Sequence, residues 1–84
     1  MQTKREERVT MLYANFILIS SKRRQPLARR VEVTDLKYFI EHKAEIQEGA
    51  ILRLCKSRHL TVRDLREYGY TQIKVEFYTK EKII

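Results

Sequence analysis

The chain has 84 residues, 43% of them hydrophobic, with two glycines and one proline; this composition suits one small folded domain and leaves no room for a second core. Eighteen Lys/Arg against eleven Asp/Glu give a formal charge of +7, which favours polyanionic partners and supplies the salt-sensitive part of nucleic-acid binding. Cys55 is the only cysteine, which excludes an intramolecular disulfide scaffold and makes a reducing cytoplasm the expected compartment.

Thr3, followed three positions later by Glu6, has the form of a capping box ahead of the apolar run Val9 to Ile19. That run is apolar on every side and rich in β-branched and aromatic residues, so a buried strand is open to it; the cap and the length favour a first helix over residues 1–22. The run is too short to span a bilayer, and Tyr13, Asn15 and the following Lys22, Arg23 and Arg24 do not suit a signal peptide. Its apolar character exceeds what a small monomer hides easily, which predicts a homodimer formed through this first element.

Ser20 to Pro26 reads as a loop, because Pro26 disfavours helix at Gln25. Arg29 to Val33 alternates charged and apolar residues as a short half-exposed strand does. Thr34 is a good N-cap for an amphipathic helix in which Leu36, Phe39, Ile40 and Ala44 share a stripe. A second stripe runs Ile46, Ala50, Ile51, Leu54 and Cys55; residues 35–58 could form one helix, with Gly49 arguing weakly for a break nearby. Leu60 to Leu65 reads as strand, or as a short helix closed by Gly69. Tyr70 to Tyr78 alternates Ile73, Val75 and Phe77 against Gln72, Lys74 and Glu76, the strongest strand signal in the chain.

The charge is uneven. Residues 1–30 carry eight Lys/Arg against two acids, residues 31–50 two against five, and residues 51–84 eight against four. The densest block is Lys22, Arg23, Arg24, Arg29 and Arg30, suited to phosphate contact. Tyr68, Tyr70 and Tyr78 stand among basic residues and could stack on single-stranded bases, although no RNP-type aromatic signature accompanies them. Catalysis has little to work with. Cys55 and His59 lie four apart, but no second cysteine completes a metal site, and no phosphate-binding glycine loop or serine elbow is present. No enzyme activity, cofactor, membrane contact or small-molecule substrate is expected.

Taken in order, helix, strand, helix, helix, strand, strand, the pattern resembles the winged helix-turn-helix, an α+β DNA-binding fold. Ile40, Ala44, Ile46, Ile51 and Leu54 match the apolar spacing that holds its helix pair together, while Glu41 and Glu45 depart from the small residue and the glycine usual there. The resemblance implies a single domain over residues 1–84, with residues 29–84 as helix-turn-helix and wing. It also implies a recognition helix at about Gln47 to Arg58 presenting Arg53 and Lys56 to double-stranded DNA, and phosphate contacts from Arg58, Arg63 and Arg66. The expected function is a small DNA-binding regulator of transcription or replication. Two alternatives stand beside it: an inhibitor or adaptor docking on an acidic protein, and an RNA-binding accessory factor.

Overall fold

The computed structural model describes residues 7–83. Six elements follow in the order β1 (Arg8–Ser20), β2 (Leu27–Val33), α1 (Leu36–Glu41), α2 (Lys43–Arg58), α3 (Val62–Glu67) and β3 (Tyr70–Ile83). The strands form one antiparallel sheet in the order β2-β1-β3. The class is α+β, as its mixture of periods predicts.

The first element corrects the sequence expectation: residues 8–20 are a strand, not a helix. Its β-branched and aromatic residues lose side-chain freedom in a helix and suit a pleated surface. Alternate residues of β1 serve different layers. Ala14, Phe16 and Leu18 are buried under the helices, while Tyr13, Asn15 and Ile17 line the opposite face. The Thr3–Glu6 capping box lies outside the described residues. As the central strand, β1 has both backbone edges paired from Leu12 to Leu18, while Arg8 to Met11 pair on the β3 side alone.

Further expectations are refined by the helices. The break in the long helical segment falls at His42 (φ −115°, ψ 24°), and α2 runs through Gly49. The helix-turn-helix turn expected around Glu45 therefore lies inside a continuous helix, since Glu45 lacks the backbone freedom that glycine would bring to a turn. The N-cap of α1 is Asp35, whose carboxylate accepts from the Tyr38 N–H at 3.1 Å, and not Thr34. Residues 62–67 are helix, opened by a reciprocal capping box in which Thr61 Oγ1 accepts from Asp64 N–H (3.1 Å) and Asp64 Oδ2 from Thr61 N–H (2.8 Å). The observed order is thus strand, strand, helix, helix, helix, strand.

The helices cover one face of the sheet and bury two adjoining clusters. Phe39 of α1 and Ala50 of α2 pack on Ala14, Phe16 and Val33; Leu54 and Cys55 of α2 and Leu65 of α3 pack on Leu18 and Leu27. Each large side chain buried this way contributes about 1.5–3 kcal/mol. At one end, Gly69 (φ +81°) closes α3 against the β1–β2 loop; a Cβ there would stand 3.0 Å from Lys22 Cγ and Ser21 Oγ. Ser20 Oγ locks the same corner, donating to Tyr68 O at 2.6 Å and accepting from the Lys22 and Arg23 N–H groups.

At the other end the fold thins out. β2 reaches only from Leu12 to Leu18 of β1, so Arg8–Met11 and Lys80–Ile83 continue as a two-stranded arm. The chain measures 63 × 28 × 19 Å with a radius of gyration of 16.7 Å, against roughly 12 Å for a compact chain of this length. Among the described residues no helix is long and apolar enough to cross a membrane.

Candidate nucleic-acid interface

Among the described residues no element covers the face of the sheet away from the helices, and the strand registers specify its side chains. Tyr13 stands opposite Glu32 on one side and Tyr78 on the other; Asn15 stands between Arg30 and Glu76, and Ile17 between Ala28 and Lys74. Farther along the arm, Met11 meets Lys80 and Val9 meets Lys82. Residues directly opposite in antiparallel strands share a face, so these groups form one surface across all three strands.

At its centre the rings of Tyr13 and Tyr78 stack with centroids 5.4 Å apart and planes 25° from parallel. The Arg30 guanidinium lies 4.6 Å over the Tyr13 ring, and its Nη1 donates to Tyr78 Oη at 3.4 Å. That hydrogen bond, with the Tyr78 charge behind it, pushes the Arg30 pKa further up, so the cation is fixed at every working pH. Two aromatic rings capped by a planar cation make a platform on which a nucleobase can stack, and every base has a π-face to offer it.

Around this platform the charge is mainly positive. Arg30, Lys74, Lys80 and Lys82 stand against Glu32 and Glu76 on the same face. Where the face meets the β1–β2 loop, Arg23 and Arg24 join Ile17, Ile19, Pro26 and Lys74 around a shallow depression of about 420 Å³. Lys74 Nζ and Glu76 Oε1 are 3.0 Å apart, so part of this charge is compensated locally.

The ten basic residues expected to bind nucleic acid are divided by the fold. Arg30 belongs to the platform, and Arg23 and Arg24 to its rim. Arg29, its neighbour in sequence, projects from the other face of β2, where it is half-buried opposite Phe16. Lys22 is drawn to the α3 end, donating to Glu67 O at 3.3 Å, and Arg23 also stacks on Tyr68 at 3.9 Å. Arg53, Lys56, Arg58, Arg63 and Arg66 all lie in the helical layer. Arg53 borders a depression with Val31, Tyr38 and Gly49, Arg63 pairs with Glu67 at 3.3 Å, and Arg58 and Arg66 occupy the last turns of α2 and α3. Cations there complement the carbonyl ends of the helices.

Tyr13 is the member of the platform that the sequence concealed. Read as a helix, residues 9–19 give it no special neighbours; read with period two, it falls on the same face as Asn15 and Ile17. Of the three tyrosines singled out, only Tyr78 reaches the open face. Tyr68 lies beneath Arg23, and Tyr70 donates to Gln25 O at 2.8 Å.

Cys55 is buried, which raises its thiol pKa, and the nearby Asp64 charge raises it further. A neutral, enclosed thiol is neither a nucleophile nor a ligand. No group of three His, Cys, Asp or Glu side chains that could hold a metal occurs among the described residues.

No family model matches the chain, and no curated protein and no solved structure is significantly similar to it.

Proposed function

We propose that the protein binds single-stranded nucleic acid across the open face of its sheet and performs no chemistry on it. One observation carries this reading: Tyr13, Tyr78 and Arg30 form a stacked platform on a sheet face that the helices leave bare, inside a cationic rim. Stacking needs exposed bases, so single strands fit the platform and duplexes, whose bases are already stacked, do not. The surrounding Lys and Arg supply sequence-independent attraction to phosphates.

A second reading rests on α2. Gly49, Arg53 and Lys56 follow one another along one side of the helix, and both cations are exposed. This retains a winged-helix-like use of the helix against double-stranded DNA, in a regulator of transcription or replication. It engages the opposite layer of the molecule, so the two readings separate cleanly.

The test is fluorescence anisotropy with labelled single-stranded DNA, single-stranded RNA and duplex DNA of one sequence, each at two salt concentrations. Single strands are expected to bind more tightly than duplex and to weaken with salt. Arg30→Ala should weaken them, and Arg53→Ala with Lys56→Ala should leave them unchanged. A duplex preference lost with Arg53 and Lys56 would establish the second reading. Binding to none of the three would move the partner to an acidic protein surface.

A further inference from the structure

Among the described residues nothing covers the outer edge of the sheet at β3. From Tyr70 to Ile83 this strand pairs with β1 on one side, and no described strand pairs with the other, which leaves a long row of unpaired N–H and C=O groups. Natural proteins cover or interrupt such edges because another chain can add to them. The core is cut short at the same place. On the helix-covered face Ile73 is 40% exposed and Phe77 50% exposed, with the half-buried Val75 between them, although their partners on β1 are the buried Leu18, Phe16 and Ala14.

We propose that β3 pairs with β3 of a second copy, antiparallel about a two-fold axis at Val75, joining two three-stranded sheets into one sheet of six strands. The pattern of β3 is complementary to itself in this register. Val75 meets Val75 of the partner subunit, Ile73 meets the partner's Phe77, and Thr71 meets the partner's Thr79. On the open face, Lys74 meets the partner's Glu76. Each of these contacts between unlike residues occurs twice by symmetry. The exposed Ile73 and Phe77, with the half-buried Val75 between them, become a continuous apolar strip between two cores. The Lys74–Glu76 pair of each copy becomes one half of a four-charge array of alternating sign.

Neighbouring registers lose this match. Centring the axis on Lys74 or Glu76 sets like charges directly opposite, and centring it on Phe77 or Tyr78 sets Lys74 against Lys80 or Lys82. A two-fold axis perpendicular to the sheet also keeps both helical layers on one side and both open faces on the other. The pairing uses only the backbone edge and the side chains of β3, and it stands whether or not the platform binds nucleic acid.

The experiment is sedimentation equilibrium of the full chain without nucleic acid, at about 5–100 µM. The expected result is a species of twice 10.2 kDa. Glu76→Lys, which sets two cations opposite each other on both sides of the axis, should weaken the dimer about tenfold or more. K74E/E76K restores opposite charges in the same register and should recover it. Oxidised Val75→Cys should give a covalent dimer, because directly opposed residues lie within disulfide reach, and Ile83→Cys should not. A monomer throughout the range, or a dimer indifferent to both charge variants and to the site of cross-linking, would overturn the proposal.

Discussion

Replacing Tyr78 by alanine is the sharpest probe of the platform, because the residue is 38% exposed on an edge strand and holds little of the core. Base–aromatic stacking is worth about 1–3 kcal/mol per base. One face of Tyr78 is already covered by Tyr13, so the lower end of that range applies. A loss of about 1–1.5 kcal/mol corresponds to roughly 5- to 12-fold in Kd. Tyr78→Phe keeps the ring and removes only the 3.4 Å hydrogen bond from Arg30, a long and exposed contact. Its removal should change Kd by less than about twofold. The assay is anisotropy titration of a labelled oligonucleotide, with circular dichroism melts to confirm that each variant is folded. Loss of the Tyr13 contact should cost the fold about 0.5–1 kcal/mol, too little to unfold a domain of ordinary stability. An alanine variant that binds within twofold of the parent, while Lys80→Ala weakens binding, would refute stacking and leave a purely electrostatic surface.

Three predictions concern the scaffold. Gly69→Ala should destabilise the fold by about 1–3 kcal/mol in urea unfolding, because alanine resists φ +81° and its methyl would meet Lys22 and Ser21 at 3.0 Å. Thr61→Ala removes one half of the capping box of α3 and should cost about 1 kcal/mol. The thiol of Cys55 gives a pH dependence of known sign: its folded pKa is raised above the ordinary value of 9.0 by burial and by Asp64. Stability from this group is therefore complete below about pH 9 and falls as pH rises from the unfolded thiol's pKa through the folded one. Urea midpoints measured across that window should decline more steeply for the parent than for Cys55→Ala.

The first nine residues of β3, Tyr70 to Tyr78, were legible because only one face there meets the helices, so Ile73, Val75 and Phe77 alternate with polar residues. The helix from Leu36 was legible for the corresponding reason at period 3.6. β1 was not, because it is the central strand: Phe16 and Leu18 face the helices, and Tyr13 and Ile17 face the open side, so both periods look apolar. The basic block from Lys22 to Arg30 was visible as charge but not as a surface. Arg29 and Arg30 are adjacent in sequence, yet in a strand they project to opposite faces, and only Arg30 reaches Tyr13 and Tyr78. The joining of Tyr13 to Tyr78 needed the β1–β3 register, a contact between opposite ends of the chain that no local pattern encodes.

That register also links the open face to the free edge. With the axis at Val75, Tyr78 of one copy lies beside Gln72 of the partner subunit, so the two platforms share one face at about 20 Å spacing along the strands, given roughly 3.4 Å per residue. A single strand long enough to reach both platforms gains from their common attachment, since binding the second becomes an intramolecular step. A strand too short to bridge them gains nothing. Glu76→Lys, by weakening the dimer, should therefore lower the affinity for long oligonucleotides much more than for short ones, at protein concentrations where the parent is dimeric. Loss of the added cross-strand pairing is offset in part by the extra lysine, which strengthens phosphate attraction for both lengths, so the ratio of the two affinities is the quantity to read. A ratio unchanged by Glu76→Lys, with the dimer demonstrably weakened, would mean that the two platforms act independently.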